Sequence, residues 1–76
     1  MAYQLEPGDG NRLQLEGEQL HCGDGIELLI AGRYVAVRLE WHSTWQRWYA
    51  AVPTGQGSDE LVVMLRAGLP ARHSRR

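Results

Sequence analysis

Residues 32–52 read GRYVAVRLEWHSTWQRWYAAV, and this stretch decides the fold of the chain. It contains all three tryptophans and two of the three tyrosines. Apolar residues occupy positions 35, 37, 39 and 41, and the charged Arg38 and Glu40 fall between them. This alternation predicts a half-buried strand, whose register is fixed because a slip of one residue would bury both charges. We expect two β-strands, 34–41 and 48–52, joined by a tryptophan-bearing loop at 42–47. Seven residues should form the inner face: Val35, Val37, Leu39, Trp41, Trp48, Ala50 and Val52.

The rest of the chain supplies further short strands separated by turn signals. Residues 11–16 alternate, residues 26–30 place three apolar side chains on one face, and residues 61–65 form a last apolar run. Two-residue turns are expected at Gly17-Glu18 and at Ala31-Gly32. Because no segment has a helical period, the pattern predicts an all-β protein: a small SH3-like barrel or a strongly bent five-stranded antiparallel meander.

The domain limits follow from composition. Seventy-six residues make one small domain. Pro7-Gly8-Asp9-Gly10 is a turn-prone cluster, so residues 1–10 are expected to form an irregular N-terminal segment. Residues 11–69 should form the single β-barrel domain, and residues 70–76 a flexible arginine-rich tail.

Charge and cysteine content restrict the classes of function. Residues 1–60 hold nine acids and four arginines, a net charge of −5, whereas residues 61–76 carry +4. An acidic body argues against a nucleic-acid footprint over the whole domain. The single cysteine excludes an internal disulfide. Residues 1–15 lack the pattern of a signal peptide, and no apolar run approaches the roughly 20 residues that cross a bilayer. We therefore expect a cytoplasmic protein without membrane contact.

Several short motifs resemble a known family. They are Gly10-Asn-Arg-Leu, Leu20-His-Cys-Gly-Asp24, Gly32-Arg-Tyr, Val37-Arg-Leu-Glu40 and Trp48-Tyr49. This order of features is similar to that of a group of short bacterial proteins, often carried on mobile elements and classed as a domain of unknown function. The resemblance covers roughly residues 10–52 and 68–72. It implies a compact β domain and no particular chemistry, and the chain departs from it in a longer loop at 41–47.

No constellation of residues predicts catalysis. Cys22 with a histidine could form a small enzyme site, but a buried thiol beside a tight turn is the simpler interpretation. The three histidines, at positions 21, 42 and 73, show no metal-ligand spacing, so neither a metal nor a cofactor is expected. Asp24 has the chemistry of a turn. Arg38 and Glu40 are expected to form weak ion pairs on a solvated sheet face.

The loop at 42–47 is the candidate binding site. Trp45 lies in mid-loop among polar residues, where it either caps the end of the barrel or is presented to a partner. Tryptophan and arginine are enriched at interface hot spots. The predicted platform consists of Trp45, Arg47, His42, Tyr49, Tyr34 and Arg38.

These side chains suit more than one kind of partner. We expect a non-enzymatic module that binds a protein or peptide through residues 41–49 and the adjoining sheet face. The alternative is single-stranded nucleic acid stacked on the same aromatics and held by the C-terminal arginines. A homodimer formed through an unpaired strand edge is a further expectation.

Overall fold

The structure, a computed structural model, describes residues 3–57 and 59–74, and all regular elements in those ranges are strands. The strands are β1 (Glu6–Pro7), β2 (Leu13–Leu15), β3 (Glu18–Gln19), β4 (Gly25–Ile30), β5 (Arg33–His42), β6 (Arg47–Pro53), β7 (Glu60–Met64) and β8 (Ala71–His73). The predicted all-β class is confirmed. Within the described residues, no helix is long and apolar enough to cross a membrane.

The strands form two antiparallel sheets. β4 to β7 make a meander, and β8 returns to pair with the free side of β4, so the larger sheet has the order β7-β6-β5-β4-β8. The sequence predicted a five-stranded antiparallel meander that starts with residues 11–16, whereas in the structure β8 is the fifth strand of the larger sheet and β2 lies in the smaller one. The smaller sheet has the order β1-β2-β3. Buried leucines of the smaller sheet and its flanks join the apolar side chains of the larger one in a single core.

Two tight turns show why the hairpins begin and end where they do. Ala31 (φ 50°) and Gly32 (φ 79°) connect β4 to β5, as predicted. Glu16 (φ 53°) and Gly17 (φ 82°) connect β2 to β3, so the predicted Gly17-Glu18 turn lies one residue too late. Positive φ at both central residues is the mark of a type I′ turn, which favours glycine in the second position. The order Glu-Gly meets that requirement, whereas Gly-Glu does not.

The core consists of the inward-facing residues of the strands. The predicted inner face of the central hairpin is confirmed for Val37, Leu39, Ala50 and Val52, all buried, while Val35 packs partly buried against them. The side chains that fill the core are Leu5, Leu15, Leu20, Ile26, Leu28, Val37, Leu39, Ala50, Val52, Leu65 and Ala71. A fully buried leucine, isoleucine or valine side chain contributes roughly 1.5–3 kcal/mol to the stability of the fold, and an alanine contributes less.

The domain extends further in both directions than the expected limits of 11 and 69. Leu5 and Ala71 are both fully buried, and β1 and β8 are paired strands. Leu5 exchanges backbone hydrogen bonds with the Gly68–Leu69 segment: its N–H donates to the Leu69 carbonyl at 2.8 Å, and its carbonyl accepts from Gly68 N–H at 2.7 Å. The interpretation of residues 1–10 as irregular and of 70–76 as a flexible tail is therefore wrong for 5–7 and 70–73. Residues 1, 2, 75 and 76 lie outside the described residues.

Candidate functional site: the aromatic end of the central hairpin

The candidate site is built on the end of the hairpin formed by β5 and β6. A four-residue turn, 43–46, joins His42 to Arg47, which lie directly opposite each other in the ladder. Gln46 closes this turn with a φ of 50°, in the left-handed region. The backbone N–H of Trp45 donates to His42 Nδ1 at 3.1 Å. An accepting Nδ1 belongs to the neutral ring with its proton on Nε2, so this bond sets the tautomer of His42.

Trp45 lies flat on the ring that binds its amide. The centroids of the His42 and Trp45 rings are 4.0 Å apart and the planes differ by 10°, a stacked pair. Tyr49 meets the other side of the cluster edge-on, with its centroid 6.2 Å from that of His42. The side chain of Trp45 is 59% exposed. Of the two positions that the sequence allowed, the structure therefore has the exposed one, and the core is filled without this indole.

Arg47 shares this surface. Directly opposite residues in an antiparallel pair point to the same face of the sheet. Arg47 is paired with His42 and Tyr49 with Glu40, so all four side chains project from the outer face, away from the core. Arg47 is exposed and forms no ion pair within the described part of the chain. Four of the six predicted site residues, His42, Trp45, Arg47 and Tyr49, are thus together; we call them the outer platform.

The side chain of Arg38 projects from the same outer face, but it is already bound by the carboxylates of Glu40 and Glu60. Its Nε donates to Glu40 at 2.6 Å, and its two terminal nitrogens donate to the Glu60 carboxylate at 3.3 Å each. The hydrogen bonds to Glu40 and Glu60 raise the pKa of Arg38 above its ordinary value. An arginine shared between two carboxylates offers little free charge to a ligand. The sequence interpretation of an Arg38–Glu40 ion pair is confirmed, and Arg38 borders the outer platform without joining it.

Tyr34 lies at the far end of β5, eight residues from His42, which corresponds to roughly 26 Å along a strand. Its ring is covered by the guanidinium of Arg72, whose Cζ lies 3.9 Å from the ring centroid. Arg72 in turn forms an ion pair with Glu27 on the adjacent strand. The expectation that Tyr34 belongs to the platform is therefore wrong, because the straight run of β5 separates the two ends.

Trp41 and Trp48 occupy the opposite face of the same hairpin end. They are directly opposite each other, and their rings meet edge to face with centroids 5.4 Å apart. The cross-strand pair that the sequence predicts is confirmed, but both side chains are only half-buried. Trp48 Nε1 donates to the carbonyl of Asn11 at 2.7 Å, which ties the hairpin to the loop before β2.

A groove of about 500 Å³ lies beside these two indoles. Its other walls are the loop at 9–12 and residues 20–22, including Leu20 and the thiol of Cys22. Cys22 is exposed, so the expectation of a buried thiol is wrong. It falls in a turn with Gly23, which has a φ of 89°, just before β4 begins. The sequence contains one indication of this groove. The inward-facing residues of β5 and β6 continue to Trp41 and Trp48, beyond the residues that fill the core.

The side chains that could bind a metal ion are not clustered in the described part of the chain. Nowhere in residues 3–57 and 59–74 do three or more histidine, cysteine, aspartate or glutamate side chains converge as a metal would require. Asp24 has the role expected of a turn residue, since its Oδ2 accepts a hydrogen bond from the backbone N–H of His21 at 2.8 Å. The same oxygen lies 3.7 Å from His21 Nδ1.

Comparison with known proteins bears on the family of this chain. Searches of curated proteins and of solved structures give no match. One family profile, described as a domain of unknown function, DUF5348, matches residues 4–72. The match includes β1 and most of β8, which agrees with the wider domain limits found in the structure. Since the profile spans nearly the whole sequence, the chain belongs to the DUF5348 family.

Proposed function

We propose that this protein is a non-enzymatic interaction module that binds an extended segment of a protein or peptide on the outer platform. The observation that carries the proposal is the position of Trp45: 59% exposed, stacked on His42 and anchored through its own backbone N–H. An exposed indole that is already ordered binds a partner with a smaller loss of side-chain entropy than a freely rotating one.

The neighbouring groups fit a peptide. Arg47, opposite His42 in the ladder, supplies an exposed cation, and Tyr49, edge-on to His42, supplies a second aromatic surface. Aromatic ridges of this kind bind proline-rich segments in polyproline II form, which present flat apolar faces and free carbonyls. Glu40 stands opposite Tyr49 and limits the platform on the side of Arg38. These contacts favour a short segment over a broad flat partner.

Single-stranded nucleic acid is the alternative that the same aromatics allow. It depends on a row of unpaired cations. Arg38 and Arg72 are engaged by carboxylates. The arginines at 75 and 76, part of the proposed cationic tail, lie outside the described residues. Arg47 is the one arginine of the outer platform, and a single cation does not make such a row, so the platform favours the peptide.

The finer features expected from the sequence remain part of this proposal. We propose that the two sheets act together as an SH3-like barrel and that the protein works in the bacterial cytoplasm, in association with mobile elements. The lone cysteine and the resemblance to short bacterial proteins support the setting. A non-enzymatic role is supported by the use of Asp24 as a turn acceptor.

The test is a selection from a displayed library of random peptides, followed by calorimetry with the enriched peptide. Trp45→Ala should weaken binding roughly 30-fold, since truncating a hot-spot residue costs about 2 kcal/mol or more. Leu29→Ala is the matched control, because Leu29 is also exposed on the outer face but lies beside Tyr34 at the other end of β5. Equal binding by the Trp45 variant and the wild type would refute the proposal. A labelled oligonucleotide that binds in a Trp45-dependent manner when no peptide does would favour nucleic acid.

A further inference from the structure

Within the described residues, one edge of the five-stranded sheet is covered by another segment of the chain and the other edge is not. The outer side of β8 is covered by the N-terminal segment: Ala71 N–H donates to the carbonyl of Tyr3 at 3.0 Å, and Gln4 bridges Pro70. At the other edge, β7 pairs with β6 on one side only. No other strand of the described chain pairs with its second side.

The hydrogen bonds of the ladder show which groups of β7 point outward. Leu65 N–H donates to the Trp48 carbonyl, and Thr54 N–H donates to the Asp59 carbonyl. Hydrogen-bonded and non-hydrogen-bonded pairs alternate along an antiparallel ladder. The odd residues 59–65 therefore bond to β6, and the peptide groups of Glu60, Val62 and Met64 face away from it. Proline at position 53 agrees with this assignment. It stands opposite Glu60 in a non-hydrogen-bonded pair, so β7 requires no N–H from it.

The side chains at this edge are apolar on both faces of the sheet. Leu61 is 61% exposed and Val62 is 59% exposed. Successive residues of a strand point to opposite faces. A partner lying on one face would cover only one of them, whereas a strand added to the edge covers both. The strand also lacks the devices that usually block edge pairing, namely an inward charge, a central lysine or a proline.

We propose that β7 pairs with β7 of a second copy of this chain in an antiparallel, two-fold arrangement. The distribution of charge favours this occupant. Acidic Asp59 and Glu60 stand at the start of the strand and Arg66 stands just past its end. Antiparallel pairing of identical strands brings each acidic end beside the arginine of the other copy. With Val62 opposite Val62, Glu60 faces Met64 rather than another glutamate, and all three outward-pointing peptide groups are paired.

Glu60 does not oppose this pairing. Its carboxylate is held by both terminal nitrogens of Arg38 on the outer face. The negative charge of Glu60 would otherwise oppose pairing at this edge, and Arg38 of the same chain compensates it. The pairing joins two five-stranded sheets into one of ten strands.

The mass in solution tests the proposal first. Light scattering on the full chain should show a species of twice 8.6 kDa that dissociates on dilution. Val62→Lys places two like charges together on the two-fold axis and should raise the dissociation constant at least tenfold. The fold should survive, because Val62 is mostly exposed. Leu29→Lys and Trp45→Ala, both on the outer face away from β7, should leave the dissociation constant unchanged.

Amide hydrogen exchange distinguishes this edge from any other contact. The Val62 and Met64 amides should become more protected as protein concentration rises, while those of Leu61 and Val63, bonded to β6, are protected throughout. A chain that stays monomeric at about 1 mM, the weak end of protein affinities, would overturn the proposal. So would a dimer that forms without protection of Val62.

Discussion

The His42 ring should determine whether Trp45 is ordered, and three substitutions separate its two contributions. The ring stacks on the indole at 4.0 Å, and its Nδ1 accepts the Trp45 N–H at 3.1 Å. A stacked aromatic pair contributes about 0.5–1.5 kcal/mol, and a net hydrogen bond about the same. Because this cluster is exposed, we take the lower half of each range, a total of about 1–2 kcal/mol. His42→Ala should therefore lower the ratio of ordered to disordered turn about 5- to 30-fold.

His42→Phe keeps the stacked ring but removes the acceptor, so it should lose about half of that free energy. Exchange of the Trp45 amide hydrogen measures the hydrogen bond. The ¹⁹F shift of 5-fluorotryptophan at position 45 measures the stacking. The phenylalanine variant should speed amide exchange while keeping the ¹⁹F shift, and the alanine variant should change both. His21→Ala, at an exposed histidine elsewhere, is the control. An alanine variant with unchanged exchange and an unchanged ¹⁹F shift would refute this account of the hairpin end.

Three further predictions concern other parts of the chain. The exposed thiol of Cys22 should react with a small disulfide reagent as fast as a free thiol, and a bulky label there should quench the neighbouring indoles; slow reaction would contradict its place in the groove. Ala31→Asn should raise the melting temperature by about 2–6 °C, because asparagine tolerates positive φ better; a decrease would contradict the I′ turn. Leu5→Ala should cost about 2–5 kcal/mol in urea unfolding, and a loss below about 1 kcal/mol would restore the view of residues 1–10 as irregular.

The fold was largely predictable because alternation dominates the sequence. The pattern of β5 determines its inner and outer faces, and the structure follows it from Val35 to Leu39. The ends of the domain were harder. Leu5 is one apolar residue beside a turn-prone cluster, and Ala71 is one small residue among arginines. Their burial depends on backbone pairing between segments more than 60 residues apart, which no local pattern reveals.

The candidate site was predictable in part for the same reason. Residues His42, Trp45, Arg47 and Tyr49 are close in sequence and stay close in space. Tyr34 shares the outer face of β5 with His42, but two residues on the same face can still be far apart along a strand. Cys22 was expected in the core because free cysteine is often buried. The structure instead places it, exposed, in a turn with Gly23.

The proposed function places a partner on the outer platform. Amide shifts of ¹⁵N-labelled protein, titrated with the peptide enriched from the displayed library, test it most directly. The largest shifts should fall on residues 42–49, those of 60–64 should stay small, and Trp45→Ala should abolish the pattern. Shifts concentrated on residues 9–12 and 20–22, around the groove, would contradict it.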